Sequence, residues 1–328
     1  MTAAWATDSR VVIVAGKGGV GSSTTAAALC VMAARTGADV LLVAVDGKPG
    51  LGPLLGGTPL SPQEQLLCTV KGPTGRRAGG VRGRTIPPAQ AFGDYLDLKG
   101  VGSIVRRTAS AASLDLVAAA TPGLEHLLVL GKIKELERGG AADLIVVDAP
   151  PAGHAAPFLR SAAGLRDAVT SGPIRDQADE VAEMLADRAR TQALLVTLPE
   201  ETPVNEVIEL AYDIEEALGV ALAPVVVNAC WRDRPGLSSS TLGAARASGA
   251  TLAASDRRTL ETSSRFGAAR REVQREQLAR LAGELPIGTI RLPRLMVTRL
   301  LTHHIDLLAD ALAAPPVASG ARTHRSRA

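Results

Sequence analysis

One stretch near the start of the chain admits few folds: the run Val11-Val12-Ile13-Val14-Ala15, a turn containing Gly16, Gly18, Gly19 and Gly21, and an alanine-rich segment from Thr24 to Arg35 closed by Gly37. The first run reads as a strand buried on both faces and the alanine-rich segment as a helix, so the glycines form a tight strand-to-helix turn. Asp39 to Val45, ending in Asp46, is a second β-branched run, and it completes a βαβ unit with parallel strands. Aromatic residues make up only 2% of a chain that is 46% hydrophobic, which leaves alanine, valine and leucine to build the core. Such a core suits a parallel sheet covered by helices better than a sandwich with aromatic anchors. The expected fold class is therefore α/β, a doubly wound, mainly parallel sheet with helices on both faces.

Asp143 to Val147, Ala193 to Leu198 and Pro224 to Val227 repeat the buried-strand pattern, with helical stretches between them. Gln63 to Ile86 reads as two short strands around a Gly/Arg loop. Helical segments follow at about Ala89 to Lys99, Val101 to Ala118 and Leu124 to Arg138, and together they predict a helical insertion at about 87–140. A long charged helix is expected over Arg257 to Ala282 and an amphipathic one near Arg294 to Ala313. Residues 9–313 are thus expected to form a single domain and 314–328 a disordered tail.

The 36 basic residues nearly balance the 33 acidic ones, for a formal charge of +3, which argues against nucleic acid or an anionic membrane as the main partner. Local basic excesses at Lys71 to Arg84 and Arg322 to Arg327 read as a solvated loop and a frayed end. Cys30, Cys68 and Cys230 stand apart from one another and from histidines, so buried structural thiols are expected rather than a metal site. Met1 to Arg10 does not read as a signal peptide, and no run approaches the roughly 18 apolar residues a membrane span needs. A reducing cytoplasm is the expected setting.

The turn itself carries chemistry. Its glycines let successive backbone N–H groups converge on phosphate oxygens, and the helix N-terminus adds a favourable dipole. The phosphate-loop pattern Gly-x-x-x-x-Gly-Lys-Ser/Thr is met by Gly16, Gly21 and Ser23, but Ser22 stands where the lysine belongs. Gly18, Gly19, Val20, Gly21, Ser22, Ser23 and Thr24 are the expected cradle, with the Ser23 hydroxyl on magnesium. The same glycines also spell G-x-G-x-x-G, and Asp46 ends the second strand where a dinucleotide-binding fold carries its ribose-binding acid. Asp148, ending the strand before Ala149-Pro150-Pro151-Ala152-Gly153-His154, is placed to hold a magnesium shell from the side opposite Ser23.

Gly16-Lys17-Gly18-Gly19-Val20-Gly21-Ser22-Ser23-Thr24 resembles the Gly-Lys-Gly-Gly-Val-Gly-Lys-Ser/Thr-Thr signature of the deviant P-loop ATPases, which include the ArsA-like, MinD and ParA families. Asp148 to His154 is similar to the ArsA-like switch II string Asp-Thr-Ala-Pro-Thr-Gly-His, matching at Asp148, Pro151, Gly153 and His154. The resemblance spans about residues 11–313 and implies a P-loop NTPase fold of the SIMIBI type that binds ATP or ADP with Mg2+. It implies that Lys17 reaches across a two-fold dimer to the partner's nucleotide. It makes Asp46 the water-orienting aspartate of switch I, Asn228 the partner of adenine, and Pro293, in Leu292-Pro293-Arg294-Leu295, part of a loop covering the base. Pro122-Gly123-Leu124-Glu125 is similar to a helix start in the family's insertion.

The departures are as informative. There is no Cys-x-x-Cys for a dimer zinc, no cysteine cluster suited to arsenite, and no methionine between Met32 and Met184 to line a groove for hydrophobic helices. Loss of one preorganised cation is expected to cost at least ~10² to 10³ in the rate of phosphoryl transfer. The expectation is a catalytically weak or inactive subunit of a nucleotide-switched dimer, paired with a competent homologue or with itself. A helical insertion of this kind is also a place for a protein client. One alternative is an active magnesium-dependent ATPase in which Lys48 has taken over the charge; another is a dinucleotide-binding oxidoreductase. The second lacks a proton donor, since His154 belongs to the switch string and His303-His304 to a late helix face. Glu200 and Glu201 read as helix N-terminal acids, and Asp213, Glu215 and Glu216 as an exposed face.

Overall fold

The computed structural model describes residues 4–6, 8–45, 47–71, 79–100, 123–150, 152–233, 243, 245, 247–249 and 251–318. Its centre is a nine-stranded sheet of β1 (Val11–Gly16), β2 (Val40–Ala44), β3 (Gln65–Val70), β4 (Gly79–Thr85), β5 (Leu144–Asp148), β6 (Thr191–Thr197), β7 (Ala221–Leu222), β8 (Val225–Cys230) and β9 (Thr289–Pro293). The order is β3-β4-β2-β5-β1-β6-β8-β9, with β7 beside β6, and every pair except β3–β4 is parallel. The doubly wound α/β class is what the sequence led us to expect.

Alternation along the strands divides the core in two. Val12 and Val14 of β1, with Leu42, Val146 and Leu194, pack against α1 (Ser22–Ala34) and α9 (Thr302–Leu312). Ile13, with Leu41, Ile145 and Leu195, faces the opposite layer of α4 (Leu124–Arg138), α5 (Ala152–Ala168), α6 (Pro173–Ala186) and α7 (Glu201–Leu218). Alanines 26–28, 33 and 34 of α1 are buried, and such small side chains bring the helix close to the sheet. Across the second layer, the buried ammonium of Lys134 on α4 donates to Gln177 Oε1 at 2.9 Å and Glu180 Oε2 at 2.7 Å on α6.

The structure redraws several expected boundaries. The segment read as the end of a helical insertion, α4, is a core helix: Leu127, Leu128, Leu130 and Ile133 are buried against the sheet. An amphipathic pattern announces a helix but not the layer it covers. The preceding α3 (Pro88–Leu98) also packs on this core, through Ala91 and Tyr95, whereas the segment expected at 101–118 lies outside the described residues. The last helix begins at Thr302; Thr289–Pro293 is instead an additional parallel strand, paired with β8. Residues 314–318, expected as the start of a disordered tail, include Val317, which bridges Thr289 by reciprocal backbone hydrogen bonds of 2.9 and 2.8 Å. The long helix is present as α8 (Ala254–Glu284), with only Gly267 and Leu281 buried.

The sheet order also decides against the dinucleotide alternative. In that fold the second strand lies beside the first. Here β5 lies between β1 and β2, so Asp148, not the end of β2, is the acid next to the glycine turn.

Candidate functional site

The loop after β1 turns into α1 through Gly21 at φ +94°, a left-handed conformation that glycine alone adopts without strain. A Cβ at Gly21 would lie 2.3 Å from Asn228 Nδ2, and one at Gly16 2.4 Å from the carbonyl of Val196. The glycines therefore permit both the turn and the close approach of its neighbours. Thr25 N donates to Gly21 O at 2.9 Å, closing the first turn of α1. The N–H groups of Ser22, Ser23 and Thr24 precede that bond and have no acceptor within the helix, which suits them to an anion.

Asp148 ends β5 in register with Val14, two residues before the end of β1, and its residue is fully buried. Gly16 to Gly19, Gly21 to Thr24, Lys48 and Ala149 line one cavity of about 290 Å³. The strand-end carboxylate and the turn thus share one edge of the sheet. Ser22, standing in the lysine's place, tucks its hydroxyl beside Gly16: the oxygen is buried and has no hydrogen-bond partner among the described residues.

Two lysines frame the cavity. Lys48 Nζ donates to Asp148 Oδ2 at 2.9 Å and to the carbonyl of Ala149 at 3.0 Å, so the loop after β2 is tied to the end of β5. Lys17, which also lines the cavity, pairs with Glu206 on α7. Asp46, expected as the water-orienting acid, lies outside the described residues, as does Pro151 of the switch string.

The chemistry of a magnesium site is represented by two hard oxygen donors, the Ser23 hydroxyl and the Asp148 carboxylate. They do not fit the ion as they stand, because Lys48 already holds the Asp148 oxygen. Among the described residues no group of three or more His, Cys, Asp or Glu side chains is arranged to hold a metal.

Asn228 and Pro293 lie on the other flank. Asn228 Nδ2 donates to Val20 O at 2.9 Å and its Oδ1 accepts from Ala229 N at 2.8 Å, so this side chain braces the phosphate loop from β8. Ala229 takes φ 54°, the one non-glycine among the described residues with positive φ. Pro293 is buried at the end of β9 opposite Cys230. Next to them Trp231 forms a platform: its ring meets Phe266 edge-on at 5.8 Å, and the Arg294 guanidinium lies over it at 5.0 Å. Glu206 and Trp231 escaped the reading from sequence, and Arg294 entered it only as part of the Leu292-Pro293-Arg294-Leu295 string. Trp231 had a signal, an aromatic residue in an aromatic-poor chain three places after Asn228; Glu206, 189 residues from Lys17, had none.

The remaining candidates are bystanders. His304 Nδ1 accepts from Leu301 N at 2.9 Å and caps α9. Cys30 and Cys230 are buried and Cys68 half-buried; burial pushes all three thiols up, Cys230 to about 11.

With the loop, the acidic strand end and the bracing asparagine in place, residues 11–228 match the CobQ/CobB/MinD/ParA nucleotide binding domain. The chain belongs to this family. It is 36% identical over 226 residues to "ATPase BagA" of Mycobacterium tuberculosis, a match covering 67% of this chain and 64% of that protein. It is 28% identical over 223 residues to an "Arsenical pump-driving ATPase" of Escherichia coli, covering 67% of this chain and 35% of that one. With "ATPase GET3B" of Arabidopsis thaliana it shares 24% over 265 residues, 68% and 64% of the two chains. The chain is thus a member of this nucleotide-binding family with distant similarity to arsenical pump-driving ATPases, and it spans less than two thirds of the length of these relatives. No described helix is long and apolar enough to cross a membrane.

Proposed function

We propose that this ArsA-like chain is a catalytically weak ATP-binding subunit of a nucleotide-switched dimer, acting with a competent homologous subunit. The observation that carries the reading is a phosphate-binding turn that keeps its glycines, its helix N-terminus and its neighbouring buried Asp148 while Ser22 replaces its lysine. Binding draws on backbone amides, which remain; turnover draws on preorganised positive charge at the transferred phosphoryl group, which is depleted. Lys17 is the residue that would be lent across the dimer, and in this chain its ammonium is paired with Glu206. ATP and ADP are the proposed ligands, with Asn228 and Pro293 on the base side. A protein client and a cytoplasmic setting complete the proposal; the free, isolated thiols support the latter.

The test is hydrolysis by the purified chain, alone and mixed with a homologous ATPase subunit. Alone it should turn over at least ~10²-fold more slowly than the competent subunit. Lys17→Ala should lower the activity of the mixture, and vigorous hydrolysis by the chain alone would count against the proposal. A second reading, an active ATPase, is favoured by the presence of Lys48 in the cavity wall. Under it, Lys48→Ala abolishes hydrolysis by the isolated chain.

A further inference from the structure

We infer that Lys48 stands in for magnesium at this site: the chain binds nucleotide without the metal, and lysine and metal compete for Asp148. The inference rests on the nucleotide-binding reading above and specifies how that site neutralises its ligand.

A nucleotide tri- or diphosphate brings several negative charges to a turn whose amides supply only partial positive ones. The loop's usual cation is missing at Ser22, and the Lys17 ammonium is paired with Glu206, which is not among the residues lining the cavity. Lys17 and Lys48 both line the cavity, and of the two it is Lys48 whose ammonium is held at the strand end beside the phosphate loop. An ammonium has three donors. Two are used, on Asp148 Oδ2 and Ala149 O, which fixes the head group at the strand end and leaves the third for a ligand oxygen.

The same contacts work against the metal. Asp148 has no exposed surface and is fixed at the end of a central strand, so it cannot swing to present another face to solvent. An ion held by it, directly or through one water, would lie within a water diameter or so of the ammonium, and two cations at that separation repel. Magnesium sheds its water reluctantly and is usually held by one or two carboxylates plus phosphate oxygens. Here the carboxylate on offer is already neutralised. For the metal to enter, Lys48 has to leave, and its side chain, 25% exposed, has a route outward.

The experiment is a calorimetric titration of ATP into the full chain, with excess magnesium chloride and with EDTA. The wild-type affinities in the two buffers should agree within about threefold. In EDTA, Lys48→Gln should weaken binding at least ~10-fold, magnesium should restore most of that loss, and Lys48→Arg should behave like the wild type. A wild-type affinity that falls more than ~10-fold on chelation refutes the inference whatever the variants do, and so does Lys48→Gln binding unchanged in EDTA. Strictly metal-dependent binding leaves the nucleotide reading intact and removes only this one. No binding in either buffer removes both.

Discussion

Asp148 and Lys48 form an unequal pair, and the inequality can be measured without any ligand. The aspartate is fully buried whereas the lysine side chain is 25% exposed beside an open cavity. Lys48→Ala leaves a buried carboxylate without its cation; Asp148→Asn leaves an ammonium that can move into water. A charge-assisted hydrogen bond contributes ~1.5 to 3 kcal/mol, and stranding a buried charge costs ~3 to 5 kcal/mol in closed surroundings. Water entering the cavity screens the carboxylate, so the smaller scale applies: about 2 kcal/mol for Lys48→Ala and about 0.5 to 1 kcal/mol for Asp148→Asn. The double variant should cost less than the sum of the two by about 1 kcal/mol or more, since neither charge then remains. Urea unfolding followed by circular dichroism gives the three values; with a slope near ~3 kcal/mol/M, Lys48→Ala lowers the midpoint by about 0.7 M. Costs that add within ~0.5 kcal/mol, or an Asp148→Asn that is the more damaging single change, would refute the argument that the buried partner sets the penalty.

Three further outcomes follow from the geometry. Gly21→Ala forces a Cβ into φ +94° at 2.3 Å from Asn228 Nδ2, so it should destabilise by about 2 kcal/mol and weaken ATP binding, with Asn228→Ala milder on both counts in unfolding and calorimetry. Glu206→Gln should change stability by less than ~1 kcal/mol, because both partners are more than a third exposed, yet raise amine-reactive labelling of Lys17 read by mass spectrometry; unchanged labelling would rule out the contact. The Glu180 carboxyl is held below the usual carboxylate range, first by the hydrogen bond from Lys134. A carboxyl depressed on folding contributes stability above its unfolded value that is lost as pH falls toward the folded one, so Glu180→Gln should flatten the acid limb of a stability-against-pH curve by less than ~1 kcal/mol while leaving its shape above pH ~6 unchanged.

What was legible in the sequence follows what is local in the structure. β1, the glycine turn and α1 are contiguous, so apolar runs, a left-handed glycine and an alanine-rich helix announce themselves within 25 residues, from Val11 to Arg35. Asp148 was found because a buried parallel strand must expose its functional end in the loop that follows. β9 was hidden for the opposite reason: Thr289–Pro293 carries exposed Arg291 and ends in proline, and only its pairing with β8 makes it a strand. α4 showed its period but not its place, since a helix that covers a sheet and a helix of an insertion bury similar stripes. Glu206 finds Lys17 only because α7 packs beside the loop in three dimensions.

The two lysines show how far a motif can be carried without coordinates. A missing residue in a pattern is a statement about one position, whereas a site responds to charge in a volume. By position, Ser22 removes the cation and the site looks disabled. By volume, Lys48, 26 residues further along the chain, places a positive charge on the same cavity, from the loop after β2 instead of from α1. The two placements are not equivalent in function. A lysine rising from α1 moves with the phosphate loop, which the braced Asn228 holds rigid. Lys48 rides on the loop after β2, two residues after Asp46 in the sequence, and its hold on Asp148 and Ala149 ties that loop to the segment leading into α5. Under the proposed nucleotide-binding reading, charge supplied this way would tie ligand binding to the relative position of the loops after β2 and β5. A site so built is better suited to report whether nucleotide is present than to turn it over.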